Sequence, residues 1–101
     1  MNITITARKF KAHDTLKEFI NGEVSSLEKF NDEILDVDVI LSYQSSKDNI
    51  KTAEIILQVP GHSLTATETT DDFKKSVNLA TEKIARQLEK LKTKKTARVK
   101  S

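Results

Sequence analysis

Hydrophobic and polar positions alternate from the first residues of the chain. Ile3, Ile5 and Ala7 point one way and Asn2, Thr4 and Thr6 the other, which predicts a half-buried strand over residues 2–7. The apolar spacing then changes to steps of three and four. Leu16, Phe19, Ile20, Val24, Leu27 and Phe30 predict a helix over about 15–30, capped by Asp14 and ended by Asn31-Asp32. Gly22 weakens that helix by about 1 kcal/mol relative to Ala. Alternation returns over 34–44, with Leu35, Val37, Val39, Leu41 and Tyr43 against Asp36, Asp38, Ser42 and Gln44. It continues over 50–59, where Ala53, Ile55, Leu57 and Val59 share a face, and over 62–69, where Leu64 and Ala66 oppose Ser63, Thr65, Thr67 and Thr69. Residues 45–49 read as a hairpin loop, and Pro60-Gly61 fits the centre of a type II turn, in which Gly supplies the positive φ. Thr70-Asp71-Asp72 starts a last helix, expected from about 71 to 93, with Phe73, Val77, Ala80, Ile84, Leu88 and Leu91 as its apolar stripe.

The order is therefore β-α-β-β-β-α. Three successive strands joined by short turns imply an antiparallel meander. Each strand has one apolar face and each helix one apolar stripe. The assembly that buries all of them is an α+β fold, a four-stranded sheet with both helices on its apolar face and a Thr/Ser/Gln/Asp-rich face left in water. The pattern leaves open whether the first strand lies at an edge or inside the sheet. A length of 101 residues fits one small domain. We divide it into a domain over 1–93 and a basic flexible tail over 94–101, where periodicity stops.

Composition removes several classes of function. With no Cys, there are no disulfides, no thiol catalysis and no thiolate metal sites. No basic region followed by an apolar run opens the chain, and no stretch approaches membrane-spanning length, so a cytoplasmic protein is expected. His13 and His62 are far apart in sequence and expected at the surface. The Asp36/Asp38 and Asp71/Asp72 pairs read as a solvated strand face and a helix start. There is no Gly-rich phosphate loop and no nucleophile motif, hence no enzyme, no cofactor and no small-molecule substrate. Aromatics are limited to Phe10, Phe19, Phe30, Phe73 and Tyr43, and three of the Phe fall on helical core stripes. A platform for stacking bases is not evident from this distribution, and shape and phosphate recognition of folded RNA is expected in preference to the reading of unpaired bases.

Charge changes the picture. Residues 1–73 hold seven Lys/Arg and thirteen Asp/Glu, a net of −6, while residues 74–101 hold ten Lys/Arg and two Asp/Glu, a net of +8. The total of +2 hides this polarity. On a wheel of 100° per residue with Lys75 at zero, the apolar stripe of the last helix spans roughly 140–220°. Arg86 falls at about 20°, Lys90 at about 60°, Lys83 at about 80° and Lys94 at about 100°. These cations spread over roughly 25–30 Å of helix, which suits several successive phosphates better than one small anion. A solvated Lys/Arg face is the plain alternative. The scarcity of acids there, only Glu82 and Glu89, favours binding. Leu79, within the same arc at about 40°, is a scattered exposed apolar residue or a contact to base or sugar.

These pieces together resemble the short ribosome hibernation-promoting factors, the family of ribosome-associated inhibitor or protein Y. The residues that carry the resemblance are Asn2-Ile3-Thr4-Ile5, Leu16-Lys17-Glu18-Phe19, Leu27-Glu28-Lys29-Phe30, and Ala66-Thr67-Glu68 followed by Asp72. The string Lys83-Ile84-Ala85-Arg86-Gln87-Leu88 with Lys90-Leu91-Lys92 looks like the family's second-helix signature. The resemblance implies a fold related to double-stranded-RNA-binding domains. It also implies binding in the small ribosomal subunit, in the channel of mRNA and tRNA anticodon ends, which blocks translation in idle or stressed cells and in stationary phase. Carried over by position, Lys83, Arg86, Lys90 and Lys92 match basic family positions that face rRNA. Lys75 and Lys94 are added from the wheel and the charge count. Glu23 and Ser26 stand where family members often carry Lys, and Lys74 where they often carry an aromatic, so binding is expected to lean on the second helix. The long family form adds a C-terminal dimerisation domain absent from these residues. Pairing of ribosomes would then need a second factor.

The leading expectation is a translation inhibitor that binds the small subunit and its rRNA by steric occupancy, without membrane, metal or catalysis. A general double-stranded-RNA binder is the alternative within the same class. A regulatory protein-interaction module, acting on a sigma factor, is the alternative outside it.

Overall fold

A computed structural model describes residues 1–44 and 50–100, with side chains described through Leu91. The chain forms β1 (Asn2–Arg8), α1 (Asp14–Ser25) with a one-turn 3-10 extension (Ser26–Lys29), β2 (Asp36–Gln44), β3 (Ile50–Val59), β4 (His62–Thr70) and α2 (Phe73–Lys100). The expected order and α+β class are observed. The strands lie in sequence order, β1-β2-β3-β4. β1 pairs parallel with β2 through Asn2↔Asp36 to Arg8↔Ser42, whereas β2–β3 and β3–β4 are antiparallel. The α1 crossover makes the parallel pair possible, because adjacent parallel strands need a long connection. The first strand is thus an edge strand, a point the alternation had left open.

The period-two pattern sorts the sheet into two faces. Val37, Val39, Leu41, Ala53, Ile55, Leu57, Val59 and Ala66 are buried, together with Ile20, Val24 and Leu27 from the first helical segment and Val77, Ala80, Ile84 and Leu88 from α2. One apolar layer holds both helices to one side of the sheet. The other face carries exposed Thr4, Thr6, Asp38, Thr65, Thr67 and Thr69. Cross-strand contacts such as Thr52 Oγ1 to Thr69 Oγ1 at 3.0 Å knit it.

Several boundaries differ from the sequence-based expectation. Lys17 N–H donates to the His13 carbonyl, so His13 occupies the cap position and Asp14 the first turn. Asp14 therefore acts through the helix dipole and caps nothing with its side chain. Beyond Ser25 the helix tightens to 3-10 geometry instead of continuing to residue 30, and Asn31 Oδ1 accepts the Glu33 N–H at 2.7 Å in the turn that follows. Leu35, expected to face the core, is 52% exposed. It precedes the strand, and Ile34 fills the core there. α2 starts at Phe73, two residues later than expected, because Asp72 Oδ1 accepts the Lys74 N–H and the Asp72 carbonyl accepts the Ser76 N–H. The helical backbone continues past residue 93 to Lys100, through residues such as Lys, Ala and Arg that favour helix and without Gly or Pro to stop it. The expected hairpin loop over 45–49 lies outside the described residues. Gly61 has φ +80°, as a type II turn after Pro60 requires.

Candidate nucleic-acid interface

α2 is fixed to the body by more than its apolar stripe. Ser76 is fully buried, and its hydroxyl donates to the Lys51 carbonyl at 2.8 Å and lies 2.7 Å from Thr70 Oγ1. These contacts tie the first turn of α2 to the start of β3 and the end of β4. Further along, Gln87 Nε2 donates to the Thr65 carbonyl at 3.0 Å. On the opposite flank Asn78 Nδ2 donates to Glu23 Oε1 at 2.7 Å, and the Lys74 ammonium sits 5.7 Å from the Phe19 ring centre. Glu23 and Lys74 thus join α1 to α2. Among the described residues no buried side-chain polar atom lacks a partner.

This fixation leaves one face of α2 in water. Lys75, Lys83, Arg86 and Lys90 are all exposed. They differ in what they touch. Lys75 Nζ is 3.6 Å from Asp71 Oδ1, one turn back. Lys83 leans to the sheet edge and pairs with Glu68 of β4, whose side chain is only 20% exposed. Arg86 and Lys90 have no ion pair among the described residues. From Lys75 to Lys90 the row runs about 22 Å along the axis at 1.5 Å per residue. Lys92 and Lys94, the remaining candidates, lie outside the described side chains. Leu79, within the row, is half-buried.

Besides Asp71 and Glu68, the acids Glu82 and Glu89 lie exposed on α2 itself. Asp36 and Asp38 are exposed on the open sheet face, with Asn2 Nδ2 donating to Asp36 at 3.2 Å. His13 and His62 are both exposed. No group of three or more His, Cys, Asp or Glu is placed to hold a metal ion among the described residues. No helix among them is long and apolar enough to cross a membrane.

The structure also brings together aromatics that the sequence keeps apart. Phe10, from the β1–α1 connection, stacks on Phe73 at the start of α2, with ring centres 4.9 Å apart and planes 13° apart. Tyr43, near the end of β2, meets Phe10 edge-on at 6.4 Å. The Lys51 ammonium is 5.8 Å from the ring centres of both Tyr43 and Phe73. Separations of thirty residues and more conceal this cluster from any reading of periodicity. The only sequence signal was that Phe10 falls outside both helical stripes.

The family model described as Sigma 54 modulation protein / S30EA ribosomal protein matches residues 3–96. The chain belongs to this family. Among S30EA relatives, the ribosome hibernation promoting factor of Azotobacter vinelandii is 30% identical over 98 residues, covering 97% of this chain and 89% of that protein. The ribosome hibernation promotion factor of Bacillus subtilis is 27% identical over 94 residues. The chain spans half the length of that relative. A solved structure of a ribosomal subunit interface protein from Coxiella burnetii shares the S30EA fold, with a TM-score of 0.83 and 25% identity over 92% of this chain and 99% of that one.

Proposed function

We propose that this S30EA protein is a cytoplasmic, ribosome-associated hibernation factor that occupies the small subunit, in the channel of mRNA and tRNA anticodon ends, and holds translation off in idle or stressed cells. The observation that carries the reading is the row of exposed cations on α2, set on a rigid element in a chain of this family. Arg86 and Lys90, without ion pairs among the described residues, meet phosphates directly. Lys75 and Lys83 do so after leaving Asp71 and Glu68; Lys94 falls in the same arc of the wheel, and Lys92 is added from the family resemblance. Inhibition needs only occupancy. A folded domain seated on rRNA excludes other occupants of the same channel, and no bond of a substrate has to be broken.

The test is co-sedimentation with small subunits at physiological salt in the presence of excess RNA duplex. Saturable one-to-one retention is expected, and the double substitution Arg86→Glu with Lys90→Glu should abolish it. Undiminished retention of that variant would sink the α2 interface. Loss of the unsubstituted protein to the duplex would mean a general RNA binder, and retention on a sigma factor in preference to ribosomes would mean a regulatory module.

A further inference from the structure

The aromatic cluster lies where the row of cations begins. β1 ends at Arg8, β2 ends just past Tyr43, β3 starts just before Lys51 and α2 starts at Phe73, so four elements meet at one end of the domain. Phe10, Tyr43, Phe73 and Lys51 are each half-buried there. Phe10 and Phe73 close the end of the apolar layer, which accounts for their buried portions. It does not account for the cations around them. Lys9 and Lys11 flank Phe10 and are exposed, and Lys51 faces two rings.

The backbone adds an independent observation. Lys9 has φ +66°, the only positive φ at a non-Gly residue among those described. A lysine in the left-handed region is strained by about 1 kcal/mol or more. The strained residue immediately precedes Phe10, which turns back onto Phe73. Lys75, the first cation of the α2 row, lies two residues beyond Phe73 and about 160° away around the helix, so the cluster and the row share one end of α2 and face different sides of it.

Partly exposed rings bordered by ammonium groups match the chemistry of an unpaired nucleotide. The base stacks on an aromatic surface, and the flanking phosphates meet Lys. An acidic protein segment would use the cations and leave the rings unused. We propose that the Phe10–Tyr43–Phe73 cluster stacks an unpaired base of the RNA whose phosphates lie along α2, with Lys9, Lys11 and Lys51 on the adjoining phosphates. This inference rests on the RNA-binding reading above and adds a single-stranded subsite to it.

The chain has one Tyr and no Trp, so tyrosine emission reports on Tyr43 alone. Emission, corrected for absorption by RNA, would be followed with a single-stranded ten-nucleotide adenosine RNA, with an RNA duplex of equal length and with inorganic polyphosphate. Binding would be read independently by anisotropy of end-labelled RNA. Saturable quenching by the single strand, with little from duplex or polyphosphate, is the expected result. Phe10→Leu, which keeps the apolar volume and the fluorophore, should lower single-strand affinity about tenfold. Its urea midpoint separates this effect from unfolding. Equal quenching by polyphosphate, binding without quenching, or unchanged affinity in a folded Phe10→Leu variant would overturn the subsite. Absence of any single-strand binding would overturn it as well. Co-sedimentation with small subunits then decides the ribosome reading separately, since that reading stands if the protein is still retained.

Discussion

The cations of α2 are not equivalent. Lys83 is the one held by a partly buried acid, Glu68, and an ion pair that must open before RNA is bound subtracts from the contact it makes. Glu68→Gln should therefore tighten RNA binding by roughly two- to fivefold, since partly exposed pairs are worth a fraction of a kcal/mol to about one. The same change should steepen the dependence of log K on log salt by up to about one, the contribution of one more phosphate contact. A salt titration of the two proteins reads both effects, and an unchanged slope would mean that Lys83 stays off the RNA. The position of Lys83 beside the core stripe was legible from the 100° wheel. Its partner was not, because Glu68 and Lys83 meet only once α2 packs on β4. The Phe10, Tyr43 and Phe73 contacts were hidden for the same reason. Local periodicity reports which face of its own element a residue occupies and is silent about the residue across the gap.

Elements were read more securely than their ends. Alternation identified all four strands, and the threes-and-fours spacing found both helices, because these periods follow from the geometry of each element. The ends depend on single hydrogen bonds. Within the expected Thr70-Asp71-Asp72 start it is Asp72 that caps α2, and His13 in place of Asp14 precedes α1. Ser76 shows how tightly the α2 start is bound to the sheet. Ser76→Ala would leave the Lys51 carbonyl and Thr70 hydroxyl short of a buried partner, and chemical denaturation should register a loss of about 1–2 kcal/mol. At Gly22 the opposite is expected. A Cβ built there meets nothing within 4 Å, and the residue lies inside α1. Gly22→Ala should raise the unfolding free energy by about 0.5–1 kcal/mol, chiefly by narrowing the unfolded ensemble and improving helix propensity. A neutral or destabilised variant would show that Gly22 has a role other than those of its backbone.

On the scale of the whole molecule, charge and architecture coincide. The net of +8 over residues 74–101 falls on α2 and the last residue, and the net of −6 falls on everything before it. Such a molecule is turned by the field of a polyanion before contact, with α2 leading. That polarity was open to counting along the chain. The place of β1 was not, since an alternating strand pairs equally well at either edge of a meander. Its observed place governs how the domain assembles. β1 is made before β2, its one strand neighbour among the described residues, beginning with Asn2 against Asp36, 34 residues on. The β3–β4 hairpin closes over a two-residue turn at Pro60-Gly61 and needs no such wait. Refolding followed by pulsed hydrogen exchange should accordingly protect the β3 and β4 amides early and those of β1 last, with simultaneous protection pointing to one concerted step. On a nascent chain β1 would stay unpaired until β2 has emerged, which makes Asn2–Arg8 a segment in need of shielding during synthesis.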